Sequence, residues 1–311
     1  MQEKRNKRLA IIFVLLCCVT VATFYAGRSS GSVDIDKNLF KDFDLGEIDQ
    51  VTLSSKKGNV VLKFNGSKWT VNEQFNADAS MIQVLFATLQ QAEPKRSVPA
   101  SIRDSVSRSL KENGVHISLF SSGAKQAGFY AGGNEKKTQA FFCPDDDDAT
   151  PYIMTIPGYR VYVSGIFELP ENDWKDKLVF GFNWRNFESL EAEFPESQTQ
   201  GFKVSLQDNY FGIEGMTSVD TARLNQFLDD VSLITAINFV DQAIVADSLS
   251  KSPASMRITV KDIAQRTYTL DLYKPVGPGQ NVPGLINGKQ WAFFVPEKVQ
   301  KILRKRPFFS E

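Results

Sequence analysis

Four consecutive carboxylates, Asp145 to Asp148, follow Pro144. Carboxylate oxygens suit a hard cation such as calcium, but calcium loops alternate their ligands around a glycine. Consecutive residues on an extended chain point opposite ways, so the run reads as a solvated loop tip. His116, the single histidine, lies between Val115 and Ile117 in an alternating segment, facing away from the core-facing set. Cys143 would become a nucleophile only if His116 approached it, and a free cysteine is most often a small buried hydrophobe. The one Gly-x-Ser-x-Gly match, Gly27 to Gly31, closes the apolar run and follows no expected strand, which weakens a serine hydrolase reading. The glycine-rich stretch Gly277 to Gly284 has no Lys-Ser/Thr end and no following helix to offer amides to phosphate, so it reads as a mobile loop. Lys301, Arg304, Lys305 and Arg306 give the last helix a basic end; a solvated terminus explains it better than a lipid headgroup site.

Aromatic residues are the other candidate. Trp174, Phe180, Phe182 and Trp184 crowd a short segment in mid-chain. They either line a groove at a junction, where ligand sites commonly form, or supply the packing that fixes that junction. Lys+Arg and Asp+Glu both number 36, a balance that argues against nucleic acid as a partner. Of three cysteines, Cys17 and Cys18 lie in an apolar run, so Cys143 has no partner for an intramolecular disulfide. One histidine and one remaining cysteine also leave no zinc-type ligand set. No cofactor or metal is expected.

The elements that would hold these residues begin with an address. Lys4, Arg5, Lys7 and Arg8 precede an uncharged run from Leu9 to Ala26, and Arg28 closes it. Eighteen residues at about 1.5 Å rise span about 27 Å, enough for a hydrocarbon core. The basic residues predict a cytoplasmic N-terminus and an extracytoplasmic body. Cleavage after Ala26 would put Phe24 at −3, and lipidation of Cys18 would follow Cys17, both poor processing sites. The expected organisation is a basic segment over 1–8, a retained transmembrane anchor over 9–26 and a tether over 27–42.

Beyond the tether the sequence repeats. Phe43 to Val51 returns as Phe182 to Leu190, 139 residues on. After a three-residue insertion, Val60, Leu62, Trp69, Val71 and Asp78 correspond to Phe202, Val204, Phe211, Ile213 and Asp220 at a spacing of 142. Val60, Leu62 and Phe64 have the period of a half-buried strand, and Asn65-Gly66 predicts a type I′ hairpin. Asp78 is placed to cap a helix whose apolar face is Ile82, Leu85, Phe86 and Leu89, with Pro94 ending it. A polar helix over Pro99 to Asn113 follows. Strands are then expected around Val115–Leu119, Gly128–Ala131, Gln139–Cys143 and Tyr152–Ile156, and Gly158 opens a hairpin with Tyr159, Val161 and Val163. The second copy predicts strands at 190–194, 202–206, 210–213, 268–273 and 291–295, with helices over 220–231 and 297–305; 168–173 is a weaker counterpart of the last. The fold class is therefore α+β, two tandem repeats of mostly antiparallel sheet with interspersed helices. The first repeat covers 43–172, the joint 173–183 and the second repeat 184–311.

The Phe43-Asp44 to Val51-Thr52-Leu53 opening, the hairpin ending in Trp69, the Asn76-Ala77-Asp78 helix start and the joint from Asp173 to Phe182 resemble the bacterial family known as domain of unknown function 4340. The likeness covers most of residues 40 to 305, and its motifs are structural. It implies a single-pass protein with an extracytoplasmic body, in a family some of whose members are encoded near transporter components of the ABC type. The second copy departs from the pattern, with Trp184 and Arg185 in place of Leu45 and Gly46. The expectation is a non-enzymatic, membrane-anchored binding or scaffold protein of an envelope or transporter complex. A hydrolase of envelope material and a solute-binding protein are the alternatives, and any small-molecule ligand is unspecified.

Overall fold

The computed structural model describes residues 2–28, 35–146, 149–182, 185–207, 210–240, 252–275, 277 and 279–311. The fold is α+β, with two antiparallel sheets and six α-helices among the described residues. Two compact units are formed, one from Met1–Ile48 and Phe86–Glu168, the other from Asp49–Leu85 and Leu169–Glu311.

Helix α1 (Gln2–Arg28) opens the chain, and its described side chains, residues 10–23, are all exposed. Among the described residues, no helix is long and apolar enough to cross a membrane.

The strands that follow obey their alternation. Val51 in β1 (Gln50–Ser55) pairs with Leu62 in β2 (Gly58–Phe64), which pairs with Val71 in β3 (Trp69–Val71). These three form one fully buried row, and β4 (Phe75–Asn76) completes the meander. The β2–β3 turn departs from the type I′ expectation. Of Asn65 and Gly66 only the glycine has positive φ, at 90°, and the last strand pair is Phe64 with Trp69. Asn65 Oδ1 instead accepts bonds from the backbone N–H of Ser67 (3.1 Å) and Lys68 (3.0 Å). This Asx turn holds a longer loop without a left-handed asparagine.

Asp78 caps α2 (Ala79–Gln91) as its position predicts, accepting from the N–H groups of Ser80 and Met81 at 2.8 and 3.2 Å. Pro94 does more than end this helix. It lies in β5 (Glu93–Ser97), a strand not expected from the sequence, since proline is poor material for a strand interior. After α3 (Ala100–Asn113) come β6 (Val115–Ser121), β7 (Ala124–Gly133), β8 (Ala140–Pro144) and β9 (Tyr152–Thr155), in the spatial order β6-β7-β8-β9-β5. At the edge, with a bulge between Pro94 and Arg96, the missing N–H is tolerated. Val106 and Leu110 of α3 pack with Phe141, Cys143 and Ile153. Phe40, Phe129, Phe142 and Phe167 form a second cluster with ring centroids 4.9 to 5.9 Å apart.

The hairpin expected after Gly158 does not form; a 3-10 turn covers Val163–Ile166 instead. Ser164 Oγ donates to the Gly132 carbonyl at 2.6 Å, and the Tyr162 ring lies where a Cβ on Gly133 would be, 2.4 Å away. Those side-chain contacts take the place of strand pairing. A helical turn, α4 (Glu171–Trp174), stands near the weak helix expected over 168–173.

The remaining strands are β10 (Phe187–Glu193), β11 (Phe202–Gln207), β12 (Tyr210–Ile213), β13 (Asn238–Val240), β14 (Met256–Asp262), β15 (Thr267–Leu272), β16 (Val282–Ile286) and β17 (Gln290–Phe294). Their order is β12-β11-β10-β14-β15-β16-β17-β13. Within it, β12-β11-β10 has the connectivity of β3-β2-β1, and β14 to β17 followed by β13 has that of β6 to β9 followed by β5. The expected loop over Gly277 to Gly284 is strand from Val282 onward. Val-Pro-Gly is poor strand material, but β16 is paired on both sides, and Gly284 admits Phe294, whose ring would be 2.6 Å from a Cβ there. Helices α5 (Thr221–Ser232) and α6 (Pro296–Ile302) complete the fold, α6 ending three residues short of the expected Lys305.

Asp220 caps α5 through a bond from Arg223 N–H at 3.0 Å, as Asp78 caps α2. Each cap residue is also tied by its own amide. Asp78 N–H donates to the Trp174 carbonyl at 2.8 Å, and Asp220 N–H to the Phe309 carbonyl at 2.9 Å. Both aromatic side chains are fully buried, Phe309 lying 4.9 Å from Phe202 and 5.3 Å from Phe227. The indole Nε1 of Trp174 is buried without a hydrogen-bond partner among the described residues. Trp174→Ala and Phe309→Ala are each expected to cost about 3–5 kcal/mol in urea unfolding. Trp174→Phe removes the orphan donor along with some volume and is expected to stay within about 1 kcal/mol of the parent. A Trp174→Phe protein as unstable as Trp174→Ala would refute the orphan-donor reading.

Candidate functional site

The residues with chemical potential in the first unit sit on neighbouring strands. His116 pairs with Tyr130, and Tyr130 with Cys143, so the three form one row across β6, β7 and β8. Strands are spaced by about 4.8 Å, which puts His116 and Cys143 about 10 Å apart at the backbone. The Tyr130 ring lies tilted by 31° against His116, 4.7 Å between centroids. Cys143 is fully buried, and its Sγ donates to the Ala149 carbonyl at 3.4 Å. Burial pushes its thiol up, and a Ser107 hydrogen bond and the Lys111 charge only partly oppose this. The row therefore separates nucleophile from base.

His116 turns to Asp145 instead, with Nε2 3.2 Å from Oδ2, and Lys125 Nζ bonds the same oxygen. Gly128 makes room for this: a Cβ there would meet Asp145 Oδ2 at 2.1 Å and Lys125 Nζ at 2.6 Å. Burial works against ionisation of Asp145, but the bonds from Lys125 and His116 outweigh it and hold the carboxyl below its ordinary range. Asp146 is exposed, and Asp147 and Asp148 lie outside the described residues. Among the described residues, His, Cys, Asp and Glu side chains nowhere gather in a group of three that could hold a metal ion.

Of the mid-chain aromatics, Trp174 and Phe180 are fully buried and offer no surface to a ligand. Phe182 is half-buried and packs against the core of the second unit, 6.3 Å from Phe180 and 5.5 Å from Phe187. Trp184 lies outside the described residues. The basic C-terminal residues have structural partners. Arg304 and Arg223 both lie over the Phe308 ring, at 4.6 and 5.4 Å, and Arg306 donates to the Gly215 carbonyl at 2.7 Å.

A site that sequence reasoning did not single out surrounds Lys175, the residue after Trp174. Its side chain is 5% exposed. The ammonium has three protons and three acceptors: Glu171 Oε1 at 2.7 Å, Asn172 Oδ1 at 2.8 Å and Gln290 Oε1 at 3.2 Å. It also lies 3.9 Å from the centroid of the Phe75 ring and 5.9 Å from that of Phe239. Beside it opens a cavity of about 400 Å³, entirely within the second unit, walled by the β3–β4 turn, the 175–181 segment and the β16–β17 turn. Two other cavities lie in that unit. One of about 440 Å³ is apolar, with Phe194, Leu272, Val299 and Leu303 in its wall. The other, about 950 Å³, is a charged groove with Glu191, Glu193, Lys203, Glu214 and Arg257. The signal available for the Lys175 site was a charged residue directly after a tryptophan in an aromatic-rich joint, since buried lysine needs built-in partners.

The family described as Domain of unknown function (DUF4340) matches residues 68–253, more than half of the chain, and the chain belongs to that family. No curated protein matches it.

A carboxyl held low in the folded state adds stability above its unfolded pKa of about 4 and loses it as pH falls through the folded value. Asp145→Asn is therefore expected to destabilise the fold at pH 7 by less than about 1 kcal/mol, since the group is partly exposed. The difference from the parent should shrink below about pH 4. Thermal melts across pH check this, and a difference that grows on acidification would contradict it.

Proposed function

We propose that the chain is a membrane-anchored, extracytoplasmic binding or scaffold protein with no enzymatic activity of its own, made from one α+β unit used twice. The surface of α1 carries the anchor. Ile11, Phe13, Leu15, Leu16 and Val21 point in all directions around the helix, and each is more than half exposed. A helix apolar on every side needs a protein core or a lipid core around it. Lys4, Arg5, Lys7 and Arg8 precede that surface and favour a cytoplasmic N-terminus. The matched strand orders, and the matched Asp78 and Asp220 caps with their aromatic carbonyl partners, support duplication. With His116 turned to Asp145 and Cys143 buried two strands away, presentation of surfaces and pockets is favoured over hydrolysis. The partners fitting this reading are envelope or transporter proteins at the outer face of the cytoplasmic membrane. The Lys175 cavity favours a solute-binding role within the same framework.

Carbonate-washed membranes are expected to retain the full chain, and removal of residues 1–28 to release it. Protease added outside intact spheroplasts should degrade the body. Crosslinking in the membrane should then recover transporter or envelope subunits. A full chain found wholly in the soluble fraction would overturn the anchor, and a body protected from external protease would overturn its orientation.

A further inference from the structure

The wall of the cavity beside Lys175 holds more polar groups than the fold uses. Lys175 and Arg266 are matched from behind, by Glu171 at 2.7 Å and Asp262 at 2.7 Å. Asp176 also lines the wall, its Oδ1 accepting the Leu178 N–H at 2.9 Å. Lys68 and Lys289 line it too, and neither ammonium has an ion pair or hydrogen bond among the described residues. Two unmatched cations thus face one carboxylate, so an anion is favoured. The side-chain amides of Gln74 and Asn76 are also without partners among the described residues. Asn287 uses only its Oδ1, which accepts from Thr269 N–H at 2.9 Å. Amides offer a donor and an acceptor side by side, which suits neighbouring hydroxyls. An apolar ligand would strip water from these groups and return nothing. The volume, about 400 Å³, lies at the lower end for ligand sites.

We propose that this cavity binds a small anionic saccharide, a monosaccharide bearing a carboxylate or phosphate. Lys68 and Lys289 hold the charge, and Gln74, Asn76 and Asn287 bond the hydroxyls. Lys175 is the fixed floor: its bonds to Asn172 and Gln290 and its stack on Phe75 set the wall's shape, and its saturated ammonium is not itself a ligand contact. The inference deepens the binding-protein reading and is independent of the anchor, since the whole cavity lies in the second unit. A chain that proved soluble would still be tested by it.

The test is thermal unfolding of the full chain in detergent, titrated with glucuronate and with glucose 6-phosphate at constant ionic strength. A ligand that binds only the folded state raises Tm with its concentration. At least one anionic sugar should do so, while glucose and inorganic phosphate each act at least about tenfold more weakly, a factor worth about 1.4 kcal/mol. K68A/K289A, which removes two ammonium groups without ion pairs or hydrogen bonds among the described residues, should melt as the parent does without ligand and lose at least about tenfold in apparent affinity. No shift with either anionic sugar would overturn the proposal. So would an equal shift with glucose or inorganic phosphate, or an unchanged response in K68A/K289A.

Discussion

Two helix starts tie distant stretches of the second unit together. Asp78 and Asp220 satisfy the first amides of α2 and α5 with their carboxylates, and give their own amides to the carbonyls of Trp174 and Phe309. A helix start has donors with no partner inside the helix, so it must find them elsewhere or stay wet. Here one aspartate serves both needs, and its second bond ties the helix to a residue about 90 positions further along the chain. The aromatic side chain that carries that carbonyl is fully buried, which anchors the far end of the tie. Lys175 follows directly. With Trp174 fixed, its neighbour is carried into the interior, where three oxygens and two rings must surround the ammonium.

Sheet register is a separate constraint, and it keeps His116 away from Cys143. β-Sheet register puts His116 and Cys143 on one row but two strands apart, with Tyr130 between them. The α3 face then buries Cys143 among Leu110, Phe141 and Ile153, while His116 is left at the margin to meet Asp145, whose Oδ2 Lys125 also bonds. Polar groups gather in the second unit, in the wall around Lys175, where the side chains of Lys68 and Gln74 have no hydrogen-bond partner among the described residues.

Much of this was legible from period and spacing. Val51, Val60 and Leu62 announce their strands by alternation, and Asp78 and Asp220 announce their helices because capping is local chemistry. What escaped was set by distant partners. β5 contains Pro94 and β16 contains Pro283 and Gly284, so local propensity argued against both, and pairing with neighbouring strands overrode it. The Asn65-Gly66 turn took an Asx bond in place of a second positive φ, a choice between two local solutions that the dipeptide alone does not make. Trp174 and Phe180 were legible as important aromatics, but a core anchor and a groove wall share one composition, and only burial separates them. The Lys175 cavity draws its wall from stretches scattered between residues 68 and 290, which no sequence window brings together.

The most direct measurement is native-state hydrogen exchange at the backbone amides of Asp78 and Asp220. If their bonds to Trp174 and Phe309 hold the fold closed, both amides exchange only through unfolding of the body, with the protection of the central strand amides of Val51 and Leu190. Exchange at either aspartate through local opening, while those strand amides remain protected, would contradict the account.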